Sequence, residues 1–416
     1  MAQMLGLQSD GNTVYVSGGL GLGDFRRVLA ALHNLTVKRG YEDIVLDFTL
    51  CTAAYAGPML ALCADVMRLR KEGVDFFLRL PESARLANLF RNSGWAHLIS
   101  PMEYEASRFR GYGRVPAVQF NTPAEQQDVV NRLMDATLGS MEGLERSDLQ
   151  AIEWSINEIT DNVLVHSESS VGGLVMLVNQ SFRRRVEFVV ADAGLGVPNT
   201  LRTTRSEIRS DTEALERAIR EGITRDISVG QGNGLHGSFQ VARVSNGFFH
   251  IHSNAAHLDY SKGNLRIRSD TIPLNGTTIV GCMDCSRPAA LGEALRFGGR
   301  FHEPLGYTDF HFEQGDPEEL MFVVKEEAQS YGSRVAGTPV RIKLANLINM
   351  YPKQRVVVDF EDVPLVSSSF ADEVLGKLFV QLGPLRFMRV IDIRNTSETV
   401  RELLERAILQ RSKTGA

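Results

Sequence analysis

Two periods of apolar and polar positions alternate along this chain, and the switches between them predict its elements. Residues 14–17, 44–48 and 74–80 are short apolar runs with β-branched members, which predicts strands. Between and after them, 57–71 and 81–92 carry the helical period, the first ending at Glu72-Gly73. This alternation predicts a small α/β layer over residues 1–100. Residues 101–122 lack clean periodicity and carry Gly and Pro, which predicts a connector. A helix is expected from Thr122-Pro123 to about Ser140.

The clearest helical pattern in the chain is 147–167, with Ser147 at the N-cap and Gln150 completing a capping box. Ile152, Ile156, Ile159 and Val163 form one apolar stripe, and Glu158, Asn162 and His166 form a polar one about a quarter turn away. From this segment alone, the polar stripe reads equally as the rim of a pocket or as a solvated shoulder. Strands follow at 172–179 and 186–191, joined by the triple arginine 183–185, which reads as a solvated hairpin tip. A Gly-rich stretch from Asp192 to Gly237 includes a helix at 212–221, and a second helix spans 235–245. Strands are then expected at 248–252, 265–268 and 277–283. Residues 300–345 read as a second connector, before a strand at 355–360, a helix at 369–382, a strand at 389–393 and a helix at 397–410. The order repeats that of the first block, and Val-Val-Asp-Phe at 357–360 echoes Val-Leu-Asp-Phe at 45–48.

The length of 416 residues predicts two to four domains, and 43% hydrophobic residues is enough for a core in each. A net charge of −5 gives no general case for nucleic acid or an anionic membrane. Cys51, Cys63, Cys282 and Cys285 do not make a disulfide framework, so the expected location is the reducing cytoplasm. Cys282 and Cys285 form a lone CxxC, which reads as a strand end rather than a zinc site. No signal-peptide core and no apolar run of membrane-spanning length is present.

Three glycine-containing segments bring the chemistry. Asp192-Ala-Gly194-Leu-Gly196 leaves a strand; an aspartate there can accept from an exocyclic amine while glycines admit a planar base. Gly230-Gln-Gly232-Asn-Gly234-Leu235 opens a helix, whose free N–H groups and partial positive charge suit phosphate. A P-loop is excluded, because GxxxxGK[ST] is absent.

Glu158-Ile-Thr-Asp161-Asn162 resembles the N-box of the GHKL superfamily, which includes histidine kinases, anti-sigma-factor serine kinases, DNA gyrase B subunits and MutL-type ATPases. DAGLG and GQGNGL resemble its two glycine boxes, and Gly276-Thr277-Thr278 its late Gly-Thr strand, in family order. The resemblance implies a central α/β sandwich over 123–290 that binds ATP and Mg²⁺. It gives Asn162 the metal, Asp192 the adenine amine with Thr277 joining through water, and Gly194 and Gly196 the passage of base and ribose. Gly232, Gly234 and Leu235 would close a lid over the phosphates, Arg225 is a candidate γ-phosphate contact, His166 reads either as a nucleotide contact or as pairing with backbone, and Glu158 stands at the position of the general base.

A strand ending Asp47-Phe48-Thr49, Gly57 opening a long helix, a strand before the Pro81-led helix and the closing SGWAHLI at 93–99 make residues 1–100 resemble the STAS fold of anti-sigma-factor antagonists, with Tyr55-Ala56 where that family carries an Asp-Ser pair. With YGSRVAG at 331–337 and DFEDVPLVSSSFADEVLGKL at 359–378, residues 331–416, after a connector at 291–330, look like a STAS-like domain of unknown function, with Ser367, Ser368 and Ser369 as candidate phosphoacceptors. The expected whole is an α/β multidomain protein with a GHKL sandwich between two STAS-like domains. Its implied function is Mg-dependent ATP binding with hydrolysis or serine/threonine kinase activity, in bacterial regulation or in stress or defence signalling. A nucleotide-gated interaction module without turnover stays open. The implied partners are proteins met through the STAS-like domains; a homodimer stays open, and neither nucleic acid nor a membrane is indicated.

Overall fold

The computed structural model describes residues 4–108, 111–220, 234–287, 294, 296–297, 300–301, 305–313 and 316–414. It is a mixed α/β protein with several sheets, and it divides into two compact units. The first comprises Met1–Leu133 and Trp154–His302, the second Met134–Glu153 and Glu303–Ala416. No helix among the described residues is long and apolar enough to cross a membrane.

The first unit holds two five-stranded sheets. In the N-terminal one, β1 (Gly6–Asp10) pairs antiparallel with β2 (Thr13–Leu20), and β3 (Asp43–Asp47) and β5 (Asp75–Arg79) continue it in parallel. The short β4 (Cys51–Ala54) pairs with the far end of β2. Helices α1 (Phe25–His33), α2 (Ala56–Lys71), α3 (Ala84–Asn92) and α4 (Trp95–Ile99) complete the block.

The second sheet runs β6-β7-β8-β10-β9 and is antiparallel throughout. Its strands are β6 (Arg114–Phe120), β7 (Gly173–Gln180), β8 (Arg185–Asp192), β9 (Phe248–Ser261) and β10 (Asn264–Asp284). The helices are α5 (Pro123–Ser140), α6 (Arg146–His166), α7 (Val197–Arg202), α8 (Asp211–Ala218) and α9 (Gly234–Val244), with α5 and α6 each divided between the two units. A two-residue ribbon, β11 (Arg296–Phe297) with β12 (Arg300–Phe301), follows.

Several sequence expectations shift here, each for a local reason. The stretch 101–122 contains β6, an edge strand whose pairing with β7 slips between Val115 and Val118. Pro116 sits in that irregularity, where a missing N–H breaks no ladder bond. The strands expected at 265–268 and 277–283 are one long strand, β10, interrupted by register shifts between Ser269 and Thr277.

Helix α2 reads as amphipathic, yet Pro58–Val66 is buried without a break. It is covered on two sides, because it packs on β7, β8 and β10 as well as on its own block; a Cβ at Gly57 would come within 2.7 Å of the Val280 side chain. The second sheet is correspondingly buried on both faces. Leu174, Met176, Val189 and Ala191 join the N-terminal core, while their alternating neighbours Val175, Leu177, Phe188 and Val190 are buried on the other side. This explains the near-continuous apolar runs of β7 and β8, where a half-solvated antiparallel strand would alternate.

The second unit is built on a parallel sheet, β13 (Glu319–Val323), β14 (Arg355–Asp359) and β15 (Ile391–Arg394), in that order. Its helices are α10 (Tyr307–Phe312), α11 (Val324–Glu327), α12 (Arg334–Met350), α13 (Ser368–Ala371), α14 (Lys377–Leu382), α15 (Pro384–Val390) and α16 (Glu398–Thr414). The expected connector 300–345 therefore carries a strand and most of a long helix. Pro339 inside α12 hides that helix from a breaker rule, although Val340, Leu344, Leu347 and Ile348 keep the helical spacing and are buried.

The echo between 45–48 and 357–360 extends to geometry. Asp47 Oδ1 accepts from the Thr49 N–H at 2.9 Å, and Asp359 Oδ1 from the Glu361 N–H at 2.8 Å. Phe48 N–H donates to the Arg79 carbonyl at the end of the neighbouring parallel strand, and Phe360 N–H to that of Arg394. The turns then close alike, Cys51 N–H on Phe48 O and Val363 N–H on Phe360 O.

Candidate functional site

Helix α6 carries the site. Ile152, Ile156, Ile159 and Val163 are buried, and Glu158, Asn162 and His166 are half-buried along the adjoining stripe. From Glu158 to His166 the helix rises about 12 Å. At the His166 end, the turn that leaves β8 closes on the last carbonyls of α6: Leu195 N–H donates to Ser167 O at 2.7 Å, and Thr200 Oγ1 donates to His166 O at 3.2 Å. Helix termini need such partners. A Cβ at Gly194 would stand 2.0 Å from Ser167 O, so the backbone passes there only as glycine.

Asp192 is the last residue of β8 and is 5% exposed. Its Oδ1 accepts from the Gly194 N–H at 2.8 Å, and the Thr277 N–H is a second backbone donor to the carboxylate. Burial pushes the carboxyl up to about 7, against the pull of those two donors. Ser253, buried at the centre of β9, ties the two glycine turns together. Its hydroxyl donates to Gly276 O at 3.0 Å, lies 2.9 Å from Thr277 Oγ1 and accepts from the Val197 N–H. Asn254 Nδ2 donates to Leu195 O, and Gly196 lies against the side chains of Ser253 and Asn254. Sequence reasoning missed Ser253 and Asn254 because it ended the strand at His252. The extension of β9 past that point, where β10 slips in register, is what brings them in.

At the other end of the stripe, a Cβ on Gly234 would lie 2.3 Å from Glu158 Oε2, so the carboxylate rests on the first turn of α9. Burial first, and then Asp161, raises the Glu158 carboxyl above its ordinary range. Leu235 joins a small cluster of Leu201, Ile208, Ala214 and Ala218 formed by α7, α8 and the turn between them. The structure thus brings together Asp192, Gly194, Gly196 and Thr277 at one end, and Glu158 with Gly234 at the other, with Asn162 between them on α6. Arg225 and Gly232 lie outside the described residues.

The three serines stand in the second unit. Ser367 is the N-cap of α13, its hydroxyl accepting from the Phe370 N–H at 3.0 Å and lying 3.0 Å from Ser369 Oγ. Ser368 is exposed and Ser369 half-buried.

The Asp192 carboxyl gives a pH signature. Its folded value of about 7 exceeds the ordinary 3.8, so across that window the folded chain keeps a proton that the unfolded chain releases. Stability therefore falls as pH rises from the lower value to the higher. Asp192→Asn keeps the shape and removes the proton, so the slope of Tm against pH is expected to flatten over that window. An unchanged slope would assign the dependence elsewhere, with Glu153 of the second unit, also raised to about 7 by burial, the first suspect.

No curated protein matches the chain. Residues 336–401, which run from α12 to the first turn of α16, match the family model described as STAS-like domain of unknown function (DUF4325), and this part of the chain is similar to that family.

Proposed function

We propose that the sheet of β6–β10 with α5, α6 and α9 is a GHKL-type nucleotide-binding domain, and that the chain binds ATP with Mg²⁺. The observation that carries the reading is the meeting of separated motifs with the two ends of the Glu158–His166 stretch of α6. Asp192, the two glycine turns and Thr277 meet at its C-terminal end, and the start of α9 meets Glu158 a little over two turns away.

The residues fit the group. Glycine backbone lies where any Cβ would collide with Ser167 O or Asp192 O, and a carboxylate already rests at a helix N-terminus, a position that favours anions. In this reading Asp192 accepts from the adenine amine, which rewards its ionised form. Asn162 offers an uncharged oxygen of the kind Mg²⁺ prefers. Bound ATP would supply a phosphoanhydride, and Mg²⁺, held through Asn162, would supply positive charge beside it. Glu158, raised by burial, takes or orients a proton of water or of a serine hydroxyl.

By the same reading the N-terminal block is STAS-like. Its support is the repetition around Asp47 and Phe48 of the hydrogen bonds found at Asp359 and Phe360, the latter within the matched segment. Anti-sigma-type hydrolase or kinase chemistry is the first form of the proposal. The nucleotide-gated form without turnover is favoured by one observation, the direct packing of α2 on β7, β8 and β10, which couples the N-terminal block to the nucleotide sheet. It requires ATP to prefer one arrangement of the chain.

Incubation of the full chain with γ-labelled ATP and Mg²⁺ distinguishes these forms by release of phosphate, label on Ser367–Ser369, or neither. Glu158→Ala is expected to cut turnover by about 10²–10⁴-fold while leaving ATP affinity within a few-fold. Loss of binding in that variant would show that Glu158 holds nucleotide and is not the base.

A further inference from the structure

The hairpin of β9 and β10 carries a second cluster of metal-ligating side chains that the nucleotide reading does not use. His252 is 4% exposed, and neither ring nitrogen has a hydrogen-bond partner among the described residues. A neutral imidazole always carries one N–H, and leaving it unpaired in the interior is unfavourable. A buried polar group in that condition calls for a water or an ion.

What surrounds it favours an ion. His257 stacks on His252 with ring centroids 5.4 Å apart, and Asp270 lies across the hairpin with Oδ2 2.9 Å from His257 Nδ1. One ligand atom from each of His252, His257 and Asp270 falls within 4.8 Å of the others. In a tetrahedral zinc site the ligand atoms stand roughly 3.3 Å apart, given bonds of about 2.0–2.1 Å, so closure takes side-chain shifts on the ångström scale.

The outer residues are in place as well. Asp259 Oδ2 faces His257 Nε2 at 3.5 Å, the carboxylate-behind-histidine arrangement that orients a ligating ring, and His250 Nδ1 bonds Asp259 Oδ1 at 2.7 Å. Arg26 holds Asp270 at 3.0 Å and donates to the carbonyls of Asn254, Ala256 and Ile272, fixing both irregular stretches of the hairpin.

We infer that His252, His257 and Asp270 form a binding site for one divalent transition ion of the zinc class, pinned between the β9–β10 hairpin and α1. Imidazole nitrogen with a single carboxylate suits such an ion over Mg²⁺ or Ca²⁺, which take oxygen. The site lies on different residues from those proposed for nucleotide.

Full-length chain, stripped with a chelator and then dialysed free of it, is titrated with Co²⁺ in excess Mg²⁺ and without nucleotide. The expected result is visible d–d absorption of a four-coordinate ion that saturates at about one equivalent and lacks near-ultraviolet thiolate charge transfer. Zn²⁺ should displace the Co²⁺ and raise Tm. His257→Gln and Asp270→Asn, at partly solvated positions where the fold can be verified by circular dichroism, should each weaken binding by about 100-fold or more, as losing a ligand does at least what losing an outer partner does. Absence of stoichiometric binding, thiolate bands pointing to Cys282 and Cys285, or binding untouched in both folded variants overturns the assignment.

Discussion

Gly276→Ala is expected to destabilise the first unit by about 2–5 kcal/mol and, on the proposed function, to weaken ATP binding. Two costs add. Gly276 has φ +77°, a conformation that costs a non-glycine residue roughly 1–2 kcal/mol. A Cβ there would also stand 2.2 Å from Asp192 O and 2.6 Å from its Oδ1, and overpacking of this kind costs about 1–3 kcal/mol. The obstructing oxygens belong to a strand end and to a buried carboxylate that holds two backbone N–H groups, so neither can swing away. Gly263→Ala is the control. It has φ +78° in the β9–β10 turn and nothing within 4 Å of its Cβ, so it reads the conformational cost alone. Denaturant unfolding of both variants separates the two costs. Equal losses would show that the approach of Gly276 to Asp192 is not what demands glycine.

In the second unit the largest effect is expected from Glu327→Ala, a loss of about 3–5 kcal/mol. Lys343 is 1% exposed, and its ammonium meets Glu327 Oε2 at 2.6 Å together with the Asp135 carboxylate. His311 Nε2 stands 2.6 Å from Glu327 Oε1. Removing Glu327 takes one carboxylate from the buried Lys343 ammonium and the contact at Nε2 from His311. Burial pushes Glu327 up, but His311 and Lys343 outweigh it and hold the carboxyl below its ordinary range. Its contribution is therefore full above the unfolded value and is lost as pH falls through the folded one, so the penalty should shrink in acid. Lys343→Met in the Glu327→Ala background removes the buried charge and should recover part of the loss. A penalty under about 1 kcal/mol in the single variant would mean that the lysine does not depend on Glu327.

Much of the local structure was legible because it rests on spacing. The stripe of Ile152, Ile156, Ile159 and Val163 predicts α6, and all four residues are buried on it. The Val-x-Asp-Phe echo carries a shared turn because an aspartate at a strand end bonds the N–H two residues on wherever that backbone recurs. Proline concealed what periodicity would have found. Pro116 sits at an irregularity of an edge strand and Pro339 inside a helix, both tolerated by context that a breaker rule does not see.

By itself the sequence determined the α/β alternation, the helix on which the site is built and the residue types available to it, since each depends on neighbours within a few positions. Only the tertiary structure decided the rest. That α2 is buried on two sides, that Ser253 joins both glycine turns, that Glu158 rests on the start of α9, and that His252, His257 and Asp270 come close together all depend on which strands pair and where their register slips. Those pairings join residues tens to hundreds of positions apart, and no local period encodes them.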